Sequence, residues 1–315
     1  MKTILAAVAT VGVWAGAFAA EPLQIAVIPK STGNGYWQAV KAGAVKAEAD
    51  LKAEGVPVKI IWEGTEREDQ VDRQKQIVAS FVSRKVNAIV LAPLHAQALT
   101  SSVEDATAAK IPVALIDSPL SASSAVSTVA TNNYKAGLLA GRQLVQSLGG
   151  KGNVALFRFM KGHGSTQPRE SGFLDAIKAA RGITVVSADL HSGATNEEAV
   201  KNAKALLERS TDLQGIFASN LVATEGMLTA LRENGLAGKV AFVGFDSSDM
   251  MVDALRKGEM AGFAVQQPFM MGYLGVKTAV AVIQGKPVDK EVDTDVKIVT
   301  KENLDTPEVK KLLNP

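Results

Sequence analysis

Two stretches of this chain decide its fold: Val113-Ala114-Leu115-Ile116-Asp117-Ser118 and Val240-Ala241-Phe242-Val243-Gly244-Phe245-Asp246-Ser247. Each is an apolar run that ends in Asp-Ser. The runs are too uniformly apolar for a strand with one wet face. They suit parallel strands covered by helices on both sides. Ligands of open α/β sheets bind outside the carboxyl ends of the strands, which is where both acids fall.

Outward from the first stretch, short apolar runs alternate with longer amphipathic ones. Strands are expected at Leu23–Ile28, Val58–Trp62, Ala88–Leu91 and Val113–Ile116, with helices at Tyr36–Glu54, Glu68–Arg84 and Ala96–Ala109. Ile111-Pro112 ends the third helix and starts the fourth strand. Around the second stretch the pattern restarts. Strands at Asn153–Phe159, Ile183–Ala188, Gly215–Ala218 and Val240–Phe245 alternate with helices near Pro168–Ala180, Asn196–Glu208, Ala223–Glu233 and Ser248–Arg256. Gly262–Gln266, Phe269–Gln284, Val292–Val299 and a polar C-terminal helix complete the chain. Two successive βαβ series predict an α/β protein of two doubly wound, Rossmann-like parallel-sheet lobes. The first crossing between lobes is expected near Ser127–Asn133, and Gln266-Gln267-Pro268 offers a crossing back.

Composition narrows the function. The 315 residues are 47% hydrophobic and 21% charged, enough chain for two cores without a disulfide or metal. The 34 Lys+Arg against 32 Asp+Glu leave a charge of +2, and aromatics make up 5%. Neither the basic excess nor the stacking residues of a nucleic-acid binder are present. Cysteine is absent, which excludes thiol catalysis, thiolate zinc sites and lipid attachment through cysteine. Lys2, the apolar run Ile4–Phe18 and the small-x-small Ala17-Phe18-Ala19 read as a secretory signal peptide over residues 1–19. The exported product is expected to be soluble, with no lipid anchor.

Known catalytic signatures are missing. Gly149-Gly150-Lys151 is followed by Gly152, so no phosphate loop forms, and there is no G-x-S-x-G or H-E-x-x-H. His95, His163 and His191 lack ligand spacing and read as loop or pocket-edge residues. No metal or cofactor is expected. Asp117 and Asp246 could imitate a glycosidase pair, but no nucleophile or metal motif accompanies them, and an enzyme is not expected.

What remains is hydrogen-bonding chemistry at strand ends. After the first strand come Lys30, Asn34, Tyr36 and Trp37. The two aromatics either cap the core or form an apolar wall for a sugar ring, and Asn34 both donates and accepts. Lys30 either reaches a ligand oxygen or points to solvent. Asp117 and Asp246 either cap helices or accept from neighbouring hydroxyls, where an ionised carboxylate makes strong bonds. Arg169, at a helix start, either forks onto two ligand oxygens, balances an adjacent Asp, or pairs at the surface with Glu170 or a neighbour. Asn220 and Gln266 follow strands and suit hydroxyls, each offering donor and acceptor.

Taken together, these residues resemble the type I periplasmic binding proteins, in the sugar-binding cluster that includes ribose-binding protein. The resemblance spans the mature chain. It rests on Ile25–Ile28 running into Asn34-Gly35-Tyr36-Trp37, on Ala88–Pro93, and on Ile111-Pro112-Val113 leading to Asp117. It continues in Arg169–Phe173, Ile216–Asn220, Val243–Asp246 and Gly258-Glu259 leading to Gln266. It implies a monomer whose two lobes are joined by three crossings, trapping a ligand by hinge closure and delivering it to an inner-membrane ABC permease. Residues 20–131 with about 267–294 would form the N-terminal lobe, and 132–266 with about 295–315 the C-terminal lobe. The implied pocket is Asn34, Tyr36, Trp37, Asp117, Arg169, Asn220, Asp246 and Gln266. The chain departs from ribose-type members at Ser118, where they carry arginine, and at Tyr36-Trp37, where they carry two Phe. Pro29-Lys30 is similar to rhamnose- and autoinducer-2-binding relatives, whose lysine reaches the ligand. The implied ligand is a monosaccharide or related polyol, with no nucleic acid involved. A receptor presenting its ligand to a histidine kinase or chemoreceptor is the alternative role. A transcription regulator would need a DNA-binding module where the signal peptide stands.

Overall fold

A computed structural model describes residues 21–121 and 124–313; the expected signal peptide lies outside them. The first series runs β1 (Leu23–Ile28), α1 (Gly35–Ala53), β2 (Val58–Trp62), α2 (Val71–Ser83), β3 (Ala88–Leu91), α3 (Thr100–Ala108), β4 (Val113–Ile116) and β5 (Ser127–Ala130). The second runs α4 (Asn133–Ser147), β6 (Lys151–Phe157), α5 (Thr166–Ala179), β7 (Gly182–Ser187), α6 (Asn196–Arg209), β8 (Gly215–Ala218), α7 (Leu221–Glu233), β9 (Ala241–Phe245), α8 (Asp249–Lys257) and β10 (Gly262–Val265). Then follow α9 (Pro268–Ile283), β11 (Glu291–Asp293), β12 (Lys297–Val299) and α10 (Pro307–Leu313).

The strands form two six-stranded sheets, ordered β11-β5-β4-β3-β1-β2 and β12-β10-β9-β8-β6-β7. All named pairings are parallel except β10 with β12. The chain therefore passes between sheets three times: after β5, after β10, and between β11 and β12. Successive side chains of a strand point to opposite faces. In β1, Ile25 and Val27 enter one buried cluster while Ala26 and Ile28 enter another. In β6, Ala155 and Phe157 face one cluster and Val154 and Leu156 the other. Both faces of each sheet are thus covered, as the unbroken apolar runs demanded. Each large side chain so buried contributes about 1.5–3 kcal/mol.

Two expectations are sharpened. The first crossing does fall within Ser127–Asn133, at Thr131-Asn132, but Ser127–Ala130 before it is a strand held by β4 and β11. Its polar Ser and Thr suggested a loop, but Ser127 and Val129 alternate inward in the buried pattern of a strand. The closing stretch Val292–Val299 resolves into two strands in different sheets, β11 and β12. Asp295, at φ 61°, turns the chain between them.

Helix contacts fix the lobe interiors. Gly43 of α1 lets α9 approach so closely that a Cβ there would lie 1.9 Å from the Phe269 carbonyl oxygen. Gly137 of α4 does the same for α5, where a Cβ would lie 1.8 Å from the Arg169 carbonyl oxygen. That second contact seats the helix carrying Arg169.

Candidate functional site

The carboxyl ends of the two sheets face each other across a narrow cavity, the place where small-molecule sites of open α/β sheets lie. All nine residues singled out from the sequence line it: Lys30, Asn34, Tyr36, Trp37, Asp117, Arg169, Asn220, Asp246 and Gln266.

The two aspartates stand one residue past β4 and β9, with φ of 64° and 70°. This left-handed backbone costs about 1–2 kcal/mol for a residue with a side chain, though Asp adopts it more readily than most. Asp117 accepts from Tyr36 Oη at 2.8 Å, Ser118 Oγ at 2.8 Å and Lys30 Nζ at 2.6 Å. Burial pushes its pKa up, but the Lys30 charge and these hydrogen bonds outweigh it and hold the carboxyl below the usual range. Asp246 accepts from Gln266 Nε2 at 2.7 Å and from the Leu221 backbone N–H at 3.0 Å. Here burial prevails over the nearby Arg169 charge, and the pKa is raised. Asp246 therefore does serve a helix terminus, but that of the neighbouring α7 and not of the helix that follows it in sequence.

Lys30 does not reach solvent; it is 2% exposed and also donates to Ser118 Oγ at 2.7 Å and Ser165 Oγ at 3.2 Å. Arg169 is equally buried and makes no surface pair with Glu170, which instead bonds Arg158 at 2.5 Å. Its guanidinium donates to Asn133 Oδ1 at 2.6 Å and to the Ser219 carbonyl at 2.5 Å, and lies 3.3 Å from the Phe245 ring centroid. Such a desolvated cation–π contact is worth about 2 kcal/mol. Trp37 is both core and cavity wall: it packs in the β1 cluster and donates Nε1–H to Glu68 Oε1 at 2.9 Å. Tyr36 meets it edge-on, with centroids 5.0 Å apart. Asn34 and Asn220 cap α1 and α7 through Oδ1, at 3.1 and 3.0 Å. Each therefore offers the cavity its amide NH₂.

Sequence reasoning missed Glu68, Phe159, Ser165, Thr166, Leu221 and Val222 as lining residues, and placed His163 only as a loop or pocket-edge residue. Glu68 and His163 lie in the loops after β2 and β6. The strand-end rule, extended along the whole loop to the next helix, would have found them. His163 is buried and meets the Phe159 ring edge-on. Burial first, and the Lys30 charge second, drop its pKa to about 3, so the ring is neutral. Burial raises the Glu68 carboxyl and lowers Arg169.

Two hydrogen bonds on this side tie the lobes together: Lys30 Nζ to Ser165 Oγ at 3.2 Å, and Ala96 N–H to the Gly162 carbonyl at 2.8 Å. Among the described residues no cluster of His, Asp and Glu is arranged to hold a metal ion, and no helix is long and apolar enough to cross a membrane. The cavity instead offers hydrogen-bond donors and acceptors from both sheets beside two aromatic rings.

Two doubly wound lobes around a polar interlobe cavity define a two-lobed solute-binding architecture. Residues 25–287 match the periplasmic binding protein domain, and the chain belongs to that family. It is 28% identical over 278 residues to the ribose import binding protein of Haemophilus influenzae, covering 88% of this chain and 91% of the relative. A carbohydrate transporter solute-binding protein from Agrobacterium radiobacter, in complex with D-arabinose, superposes with a TM-score of 0.89. It shares 34% identity and covers 94% of this chain and 100% of its own. An ABC transporter solute-binding protein from Agrobacterium vitis with bound D-fucose superposes at 0.86, also 34% identical, covering 92% and 99%.

Proposed function

We propose that this chain is the periplasmic solute-binding component of an ABC importer and that it holds a monosaccharide or related polyol between its lobes. The observation that carries this is the meeting of Asp117 and Asp246, one from each sheet, in one cavity with Arg169, Asn220 and Gln266. Every hydroxyl leaving water needs hydrogen-bond partners, and charged partners bond most strongly. Tyr36 and Trp37 supply the apolar wall. The closed form is favoured because the ligand bonds both lobes at once, so its differential affinity shifts the equilibrium. The ligands in the similar proteins, ribose by name and arabinose and fucose in complexes, support this class.

The reading includes export with removal of residues 1–19, and a monomer that docks on an inner-membrane permease. The lobes would move as 20–131 with 267–294 and 132–266 with 295–315. The test is thermal unfolding of the mature protein against a panel of pentoses, hexoses, deoxysugars and sugar alcohols. A ligand at 100 times its Kd should add about 2.7 kcal/mol of stability. A panel with no shift at millimolar concentration would sink the proposal.

A further inference from the structure

The cavity has one bridged end and one open end. The Glu68–His163 end is crossed by two interlobe hydrogen bonds, Lys30 to Ser165 and Ala96 to Gly162. At the other end, Asn34, Tyr36, Leu221, Asp246 and Gln266 line not only the cavity but also a second, larger space outside it. This outer chamber, open to solvent, runs between α1 of the first lobe and α8 and α10 of the second.

Its lining suits hydroxyls. Gln266 forms the doorway; it is 3% exposed, and although its Nε2 is engaged by Asp246, its Oε1 has no partner among the described residues. Ser248 also lines the chamber, and its Oγ is buried without a partner among the described residues. Ser248 is the residue before α8, yet its side chain makes no capping bond. Glu225 and Asp249 add carboxylates, and Val252 and Ala39 give apolar wall on opposite sides. A buried acceptor left unpaired is costly, so a ligand that donates to it gains affinity.

Resting on the sugar-binding reading, we propose that the outer chamber is a second subsite, and that the protein accepts a sugar bearing a hydroxylated substituent, such as a glycoside or a short oligosaccharide. The terminal sugar fills the inner cavity. The substituent leaves past Asp246 and Gln266 and lies under α8. The bridged end tolerates no extension.

The test is calorimetry on the mature protein with each free sugar that binds, its two methyl glycosides, and the ether methylated at its terminal hydroxyl. Substitution at one end should leave the affinity within about tenfold of the free sugar, and substitution at the other should lower it more than about a hundredfold. Ala39→Trp and Val252→Trp, on facing walls, should each weaken a p-nitrophenyl derivative at the tolerated end by about tenfold or more while the free sugar binds as before. Each variant is used only with a normal unfolding temperature, and two are provided so that disturbance of one helix leaves the other wall to report. Rejection of substituents at both ends, acceptance at both ends, or folded variants that leave the derivative's affinity unchanged would each overturn the subsite. Absence of binding by every free and substituted sugar would overturn the parent reading instead.

Discussion

Asp117 and Asp246 occupy the same place in their two sheets. Each follows a buried strand with a positive φ, and each donates its backbone N–H to the neighbouring strand, to Val129 O at 3.0 Å and Ala264 O at 2.8 Å. Yet their carboxyls are driven in opposite directions, Asp117 down and Asp246 up. The difference lies in Lys30. Asp117 has a direct ammonium partner, whereas Asp246 is answered by the neutral Gln266 amide and the more diffuse Arg169 charge.

Asp246 keeps acceptor capacity for a ligand. Asp246→Ala should weaken binding by about 2–5 kcal/mol, since it removes a charged acceptor from a desolvated site. Calorimetry against the sugar found by the thermal panel reads this directly, and near-normal affinity would remove Asp246 from the site.

Asp117 acts first as the counter-charge of Lys30. Asp117→Ala leaves a buried ammonium unpaired and should destabilise the protein by about 3–5 kcal/mol. The double variant Lys30→Met, Asp117→Leu should recover most of that loss in urea unfolding while binding stays impaired. If the single variant matches the parent in stability, the pair does not brace the site.

His163 gives the protein a pH dependence of known sign. Its native pKa of about 3 lies below the ordinary 6.5, so between those values the unfolded chain binds more protons than the native one. Its contribution is complete above about pH 6.5 and is lost as pH falls toward 3, with a slope of at most about 1.4 kcal/mol per unit. Asp117 acts in the same sense at lower pH, while the raised Asp246 and Glu68 oppose it. His163→Gln should flatten the stability profile between about pH 6.5 and about 5; an unchanged profile in denaturant titrations counts against this role.

Gly137 seats Arg169. With a Cβ only 1.8 Å from the Arg169 carbonyl oxygen, Gly137→Ala must push α4 and α5 apart. The expected cost is about 1–3 kcal/mol of stability, with weakened sugar binding because the guanidinium shifts from Asn133 and Ser219. The urea midpoint should fall as the Kd rises; a change in neither would contradict the close approach.

The lobes and most of the cavity were legible because both follow from local rules. Unbroken apolar runs such as Ile25–Ile28 must be buried on both faces, and parallel strands put their carboxyl ends on one side. Lys30, Asp117, Asn220, Asp246 and Gln266 could therefore be named from their nearness to strand ends. Ser127–Ala130 was hidden because its polar residues resemble a connector until two neighbouring strands pair with it.

Side-chain partners were a different matter. Whether Lys30 met solvent, or Arg169 paired with Glu170, depends on residues far along the chain: Ser165, Asn133 and Ser219. No spacing rule reports those distances. Glu68 escaped for the same reason, and His163 was legible only as a loop or pocket-edge residue, since packing between the lobes brings both to the cavity.

By itself, then, the sequence determined two α/β lobes and a set of polar side chains at their strand ends, because burial and hydrogen bonding act on short, regular patterns. Only the tertiary structure decided which acid is paired, that His163 is neutral, and that one end of the cavity opens into an outer chamber. Those properties arise from charge, desolvation and packing between segments distant in sequence.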